Sequence, residues 1–144
     1  PSHPGWGADH LEYVDVPWEM WMDKIHITHV KINKIAAPSL RAILAEIWEA
    51  CGRDQRKIKA LGLDVFSGDW VVRQARGLKI TSMHAYGLAL DLNAPRNVLG
   101  KGEKDTLFKA ASLVVKIFEK HGWVWGGRWR GRRDAMHFQF AIVG

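Results

Sequence analysis

The chain has 144 residues, 47% hydrophobic and 25% charged, with a formal net charge of +6. That length and composition fit one globular domain with its own core, and no apolar run approaches the roughly 20 residues a bilayer-spanning helix needs. The single cysteine, Cys51, excludes an internal disulfide, and the positive balance favours an anionic partner: nucleic acid, a membrane surface or an anionic cell-wall polymer.

Residues 1–24 are rich in Trp, Pro and Gly, with Trp6, Trp18 and Trp21 and little periodicity. They are expected to form an irregular arm packed on a domain spanning 25–144. This start lacks the basic and apolar segments of a secretion signal. Residues 25–35 partly alternate through Ile25, Ile27, Val30 and Ile32, which predicts a strand with a bulge where the parity changes. On a strand, His26 and His29 fall on opposite faces, which argues against a shared metal ion.

Residues 39–51 are the clearest helix. Leu40, Ile43, Leu44, Ile47, Trp48 and Cys51 recur at three- and four-residue steps, after Pro38 and before Gly52. Cys51 lies on that stripe and reads as a small buried hydrophobe. Residues 53–68 are basic and then turn-like, while WVVR (70–73) and LALDLN (88–93) read as short strands. A second helix is predicted over 104–121, with Leu107, Ala111, Val114 and Phe118 as its stripe and Gly122 as its stop. Acidic residues near its start and Lys116, Lys120 and His121 near its end suit the helix dipole. Residues 123–125 and 137–143 read as closing strands, joined by a connection carrying Arg128, Arg130, Arg132 and Arg133. The sum is a small α+β domain, a mostly antiparallel sheet with two main helices.

Two local anomalies carry chemistry. Asp91 lies inside the apolar run Leu88-Ala89-Leu90-Asp91-Leu92, seven residues after His84, with Gly87 between them as a turn. A carboxylate in a buried strand is costly unless it is paired or binds a metal. His137 opens a second core-like run, HFQFAIV, three residues after Asp134. Two histidines and an aspartate make a three-ligand zinc set of the catalytic kind, which leaves the fourth position open. Asp134 is then not needed as a ligand and is placed as a general base is placed. Trp125 and Trp129 flank two glycines between the motifs and are expected to line a cleft.

Ser82, His84, Gly87, Ala89 and Asp91 fall in the register SxHxxGxAxD, followed by WGGxW (125–129) and DxxHF at Asp134, His137 and Phe138. This two-part pattern resembles peptidase family M15, the D-alanyl-D-alanine carboxypeptidase-like peptidoglycan peptidases. It is most similar to the branch holding L-alanyl-D-glutamate endopeptidases and phage endolysins, and the likeness covers about residues 25–142. The resemblance implies Zn2+ on His84, Asp91 and His137, with Asp134 as catalytic base. The wider family also uses Glu as base, so Asp134 favours the endopeptidase-like branch. Arg73 stands where similar proteins carry an arginine that holds substrate or the developing oxyanion, and Arg76 is the runner-up. Ser82 is a candidate to orient a ligand or bond substrate.

The resulting expectation is a monomeric zinc-dependent peptidoglycan peptidase, made in the cytoplasm without a leader and acting at the bacterial cell wall. Its partner is then peptidoglycan rather than nucleic acid or membrane. A non-catalytic zinc-stabilised wall-binding module would need the ligands but not Asp134. A nucleic-acid-binding domain would use the Arg128–Arg133 run but would leave Asp91 unexplained.

Overall fold

A computed structural model of the chain describes residues 10–69 and 87–141. It shows an α+β fold with two antiparallel sheets. The first is a long hairpin of β1 (Leu11–Met22) and β2 (Ile25–Asn33). From Leu11 onward the expected irregular arm is thus a strand. Val14, Trp18, Met20 and Met22 point inward, while Asp15, Pro17, Glu19 and Trp21 point outward. That is the period-2 pattern of a half-buried strand. Trp18 is buried, and its indole N–H donates to the Leu63 carbonyl at 2.8 Å. The hairpin register shifts between Asp15 and Met20 on β1, opposite His29 and Ile27 of β2. The bulge expected in residues 25–35 therefore lies on the partner strand β1, which carries the extra residues. His26 and His29 are both exposed, stacked on Trp21 and edge-on to Tyr13 respectively.

Helix α1 (Ala37–Ala50) follows with Pro38 in its first turn. It buries Leu40, Ile43, Leu44 and Ile47, and Cys51 is buried at its end, where desolvation raises its thiol pKa. A short helix α2 (Gln55–Ala60), capped by the Asp54 side chain on the Arg56 amide, leads to strand β3 (Phe66–Gly68), which the turn-like composition concealed.

The second sheet has the order β3–β4–β6–β5, from β3, β4 (Ala89–Leu92), β6 (His137–Gln139) and β5 (Val124–Trp125). The strand expected over 70–73 lies outside the described residues. The second helix is shorter than its sequence suggests: α3 spans only Leu113–Lys120. Residues 103–112 are held otherwise. Asn97 Oδ1 accepts the Phe108 amide at 2.8 Å, Ser112 Oγ accepts the Lys109 amide at 2.8 Å, and Glu103–Asp105 form a 3-10 turn. Side chains that capture backbone amides compete with helix in this way. His121 ends α3 as expected, and Glu46 of α1 accepts from both His121 and Lys120, at 2.9 and 2.7 Å.

The core lies where α1, α3, the hairpin and the second sheet meet. Leu88, Leu90 and Leu92 enter it from β4 and its approach, and Phe138 from β6. Phe138 stacks on Phe118 of α3 at 4.4 Å and meets Phe108 edge-on at 5.9 Å. A buried Phe or Leu contributes about 1.5–3 kcal/mol each through loss of apolar contact with water. With one face of β4 and β6 committed to this core, strand alternation sends their other residues to the opposite face. Those residues are Ala89, Asp91, His137 and Gln139.

Candidate metal centre

Asp91 and His137 sit directly opposite each other in the antiparallel β4–β6 pair, and Ala89 sits opposite Gln139. Asp91 is 1% exposed and His137 4%. Their facing atoms, Asp91 Oδ1 and His137 Nδ1, are 3.2 Å apart, and His137 Nε2 lies 2.8 Å from Gln139 Oε1. Burial pulls the His137 pKa down. The hydrogen bond and charge of Asp91 outweigh it, with help from Gln139 and the Asp134 carboxylate, and the net pKa stands above the ordinary value.

The donor set suits zinc. An imidazole nitrogen and a carboxylate oxygen are both zinc ligands, at about 2.0–2.2 Å from the ion. Two such donors at a tetrahedral angle lie about 3.3 Å apart, close to the observed 3.2 Å. The same separation is that of the Asp91–His137 hydrogen bond. The third expected ligand, His84, lies outside the described residues, as do Ser82, Arg73 and Arg76. Among the described residues no group of three or more His, Cys, Asp or Glu is placed to hold a metal ion.

The turn that delivers His137 is built on glycine. Gly126 accepts the Asp134 amide at 2.9 Å, and Asp134 accepts the His137 amide at 3.2 Å. A Cβ at Gly126 would collide with the Asp134 carbonyl oxygen and stand 3.1 and 3.2 Å from the Cβ atoms of Asp134 and His137. Gly126→Ala is therefore expected to push Asp134 and His137 apart. It should cost about 1–3 kcal/mol of stability through overpacking, read as a lower melting temperature, together with weaker zinc retention on dialysis.

The two tryptophans differ. Trp129 is 38% exposed and leans on the His137 ring at 5.2 Å, so it forms a wall beside the site. Trp125 does not line the cleft as expected. It is 1% exposed, its indole N–H donates to the Ala135 carbonyl at 2.8 Å, and a side chain at Gly127 would overlap its ring. It is core, because the two glycines let the backbone fold closely over it. The arginine run divides as well. Arg133 is a partly buried clamp, donating to Gly127 O at 2.9 Å, Lys101 O at 2.7 Å and Thr106 Oγ1 at 3.0 Å, with its guanidinium over Trp125. Arg128 pairs with Glu119, while Arg130 and Arg132 are exposed. Neither Arg133 as a clamp nor Gln139 as a partner of His137 was read from the sequence. The i, i+2 spacing on a strand was the available signal for Gln139.

A small α+β domain carrying an Asp/His pair face to face on a central sheet is a frame suited to metal-assisted hydrolysis. Residues 76–140 match the sequence profile of the peptidase M15 family described as D-alanyl-D-alanine carboxypeptidase. That segment holds every residue of the two-part motif. No curated protein and no solved structure matches the chain.

Proposed function

We propose that the protein is a zinc-dependent peptidoglycan peptidase that hydrolyses an amide bond in the stem peptide, of the L-Ala–D-Glu or D-Ala–D-Ala type. On this reading it acts at the bacterial cell wall as an endolysin or a wall-lytic enzyme. The observation that carries the reading is the buried Asp91–His137 pair, 3.2 Å apart, inside the matched segment.

Asp91 and His137, with His84, would hold the ion. When bound, zinc supplies Lewis acidity that polarises a carbonyl and makes water acidic near neutral pH. Asp134 stands at the turn that leads into His137, and its carboxylate is close enough to act on that ring electrostatically. It takes a proton from the attacking water and returns it to the leaving amine, which balances the hydrolysis: one C–N bond breaks and one C–O bond forms. Arg73 holds a substrate carboxylate or the oxyanion, and Ser82 bonds substrate or a ligand. Trp129 presents an exposed aromatic face against which a peptide can pack. The +6 charge, with Arg130 and Arg132 exposed nearby, steers the protein to anionic wall polymers.

The test is an Asp134→Ala protein assayed for both zinc content and stem-peptide cleavage. A catalytic role requires the metal to stay and turnover to go. Full activity in that variant would remove Asp134 from the mechanism.

A further inference from the structure

We propose that Gln139 is a positioning residue for the metal site: it fixes the tautomer and ring orientation of His137 so that Nδ1 presents its lone pair toward Asp91. This rests on the reading of His137 as a zinc ligand. The argument begins with the strand. β6 is paired on both sides, to β4 and to β5, so its backbone is held in two registers. His137 and Gln139 are two residues apart on it and share a face. Ala89, the residue opposite Gln139, is small, and the Gln139 side chain reaches His137 instead.

The second step is hydrogen-bond chemistry. Gln139 Oε1 is 2.8 Å from His137 Nε2. An amide oxygen only accepts, so Nε2 must carry the proton. The Nδ1–Asp91 hydrogen bond requires a proton on Nδ1; a bound metal would take that proton's place, and with Nε2 kept protonated by Gln139, Nδ1 is the nitrogen left to bind it. Nδ1 is the atom 3.2 Å from Asp91 Oδ1, where a shared cation would join them. A metal-ligating histidine that donates its second N–H to an acceptor gains both a fixed tautomer and basicity, and loss of such a partner costs about 10–100-fold in metal affinity. Gln139 does this without adding a negative charge to a site that already contains Asp91 and has Asp134 beside it.

The experiment compares the parent protein with Gln139→Leu, Gln139→Glu and His137→Ala. Zinc affinity is measured by competition with a chelating dye, and the His137 ring tautomer in the zinc-loaded protein by nitrogen NMR. Melting curves of the metal-free proteins monitor folding. The expected result is about 10–100-fold weaker zinc binding in Gln139→Leu, and affinity in Gln139→Glu near the parent's, because an acceptor is restored. The parent should show a protonated Nε2. Parental affinity in Gln139→Leu, or a protonated Nδ1 in the loaded parent, overturns the inference; the parent spectrum decides even if Gln139→Leu does not fold. If the parent binds zinc no better than His137→Ala, the metal reading fails, and this inference with it.

Discussion

Asp91→Ala is expected to abolish tight zinc binding and, with it, hydrolysis. Asp91 is 1% exposed in a four-residue strand with every position buried. Across the β4–β6 pair it faces His137 at 3.2 Å. A metal acting as a Lewis acid contributes several kcal/mol to the transition state, and each 1.4 kcal/mol is a factor of ten, so turnover should fall about 1,000-fold or more. Removing one member of a buried charged pair also lowers stability, so Asp91→Asn, close to isosteric, should be run beside it. Zinc content after dialysis, turnover and melting temperature together separate a lost ligand from a lost fold. Retention of zinc by the Asn variant at parental affinity would remove Asp91 from the ligand set.

Asp134→Ala should behave in the opposite way toward the metal. Two backbone hydrogen bonds hold residue 134 in the turn: its amide to Gly126 O and its carbonyl from the His137 amide. Truncating the side chain leaves both in place, so His137 stays where β6 puts it and zinc is retained. General-base catalysis typically contributes about 100–10,000-fold, and that is the expected loss in turnover. The two variants therefore divide binding from chemistry: one loses metal and rate together, the other loses rate alone. Loss of zinc in Asp134→Ala would make Asp134 a ligand rather than a base.

The Asp91–His137 pairing was legible because Asp91 violates a local rule. A carboxylate at Asp91 among Leu88, Leu90 and Leu92 is anomalous in any buried strand, and the structure places it opposite His137. Helix α1 was legible from its unbroken stripe and its Pro38 and Gly52 punctuation. What was hidden depends on partners distant in sequence. Strand β1 has a clear period of two from Val14 to Met22, but Pro17 and the neighbouring tryptophans disguised it as an arm. Its outward edge tolerates a proline because hairpin pairing is broken there by the register shift. The start of α3 was overestimated because Asn97, ten and more residues away, draws the Phe108 backbone out of the helix. Trp125 was assigned to the cleft by its neighbours, whereas Gly127 and Arg133 close over it. Gln139 drew no attention because a glutamine on a strand is unremarkable until its 2.8 Å contact with His137 is seen.

The central claim is zinc-dependent cleavage of the wall peptide, and one measurement addresses it directly. Purified peptidoglycan of several wall types is digested with the protein as it is, with a chelator, and with zinc restored after chelation, and the new termini are identified by mass spectrometry. The account predicts a single kind of new stem-peptide terminus that appears with the protein, vanishes with the chelator and returns with zinc. No zinc-dependent terminus on any wall type would contradict it.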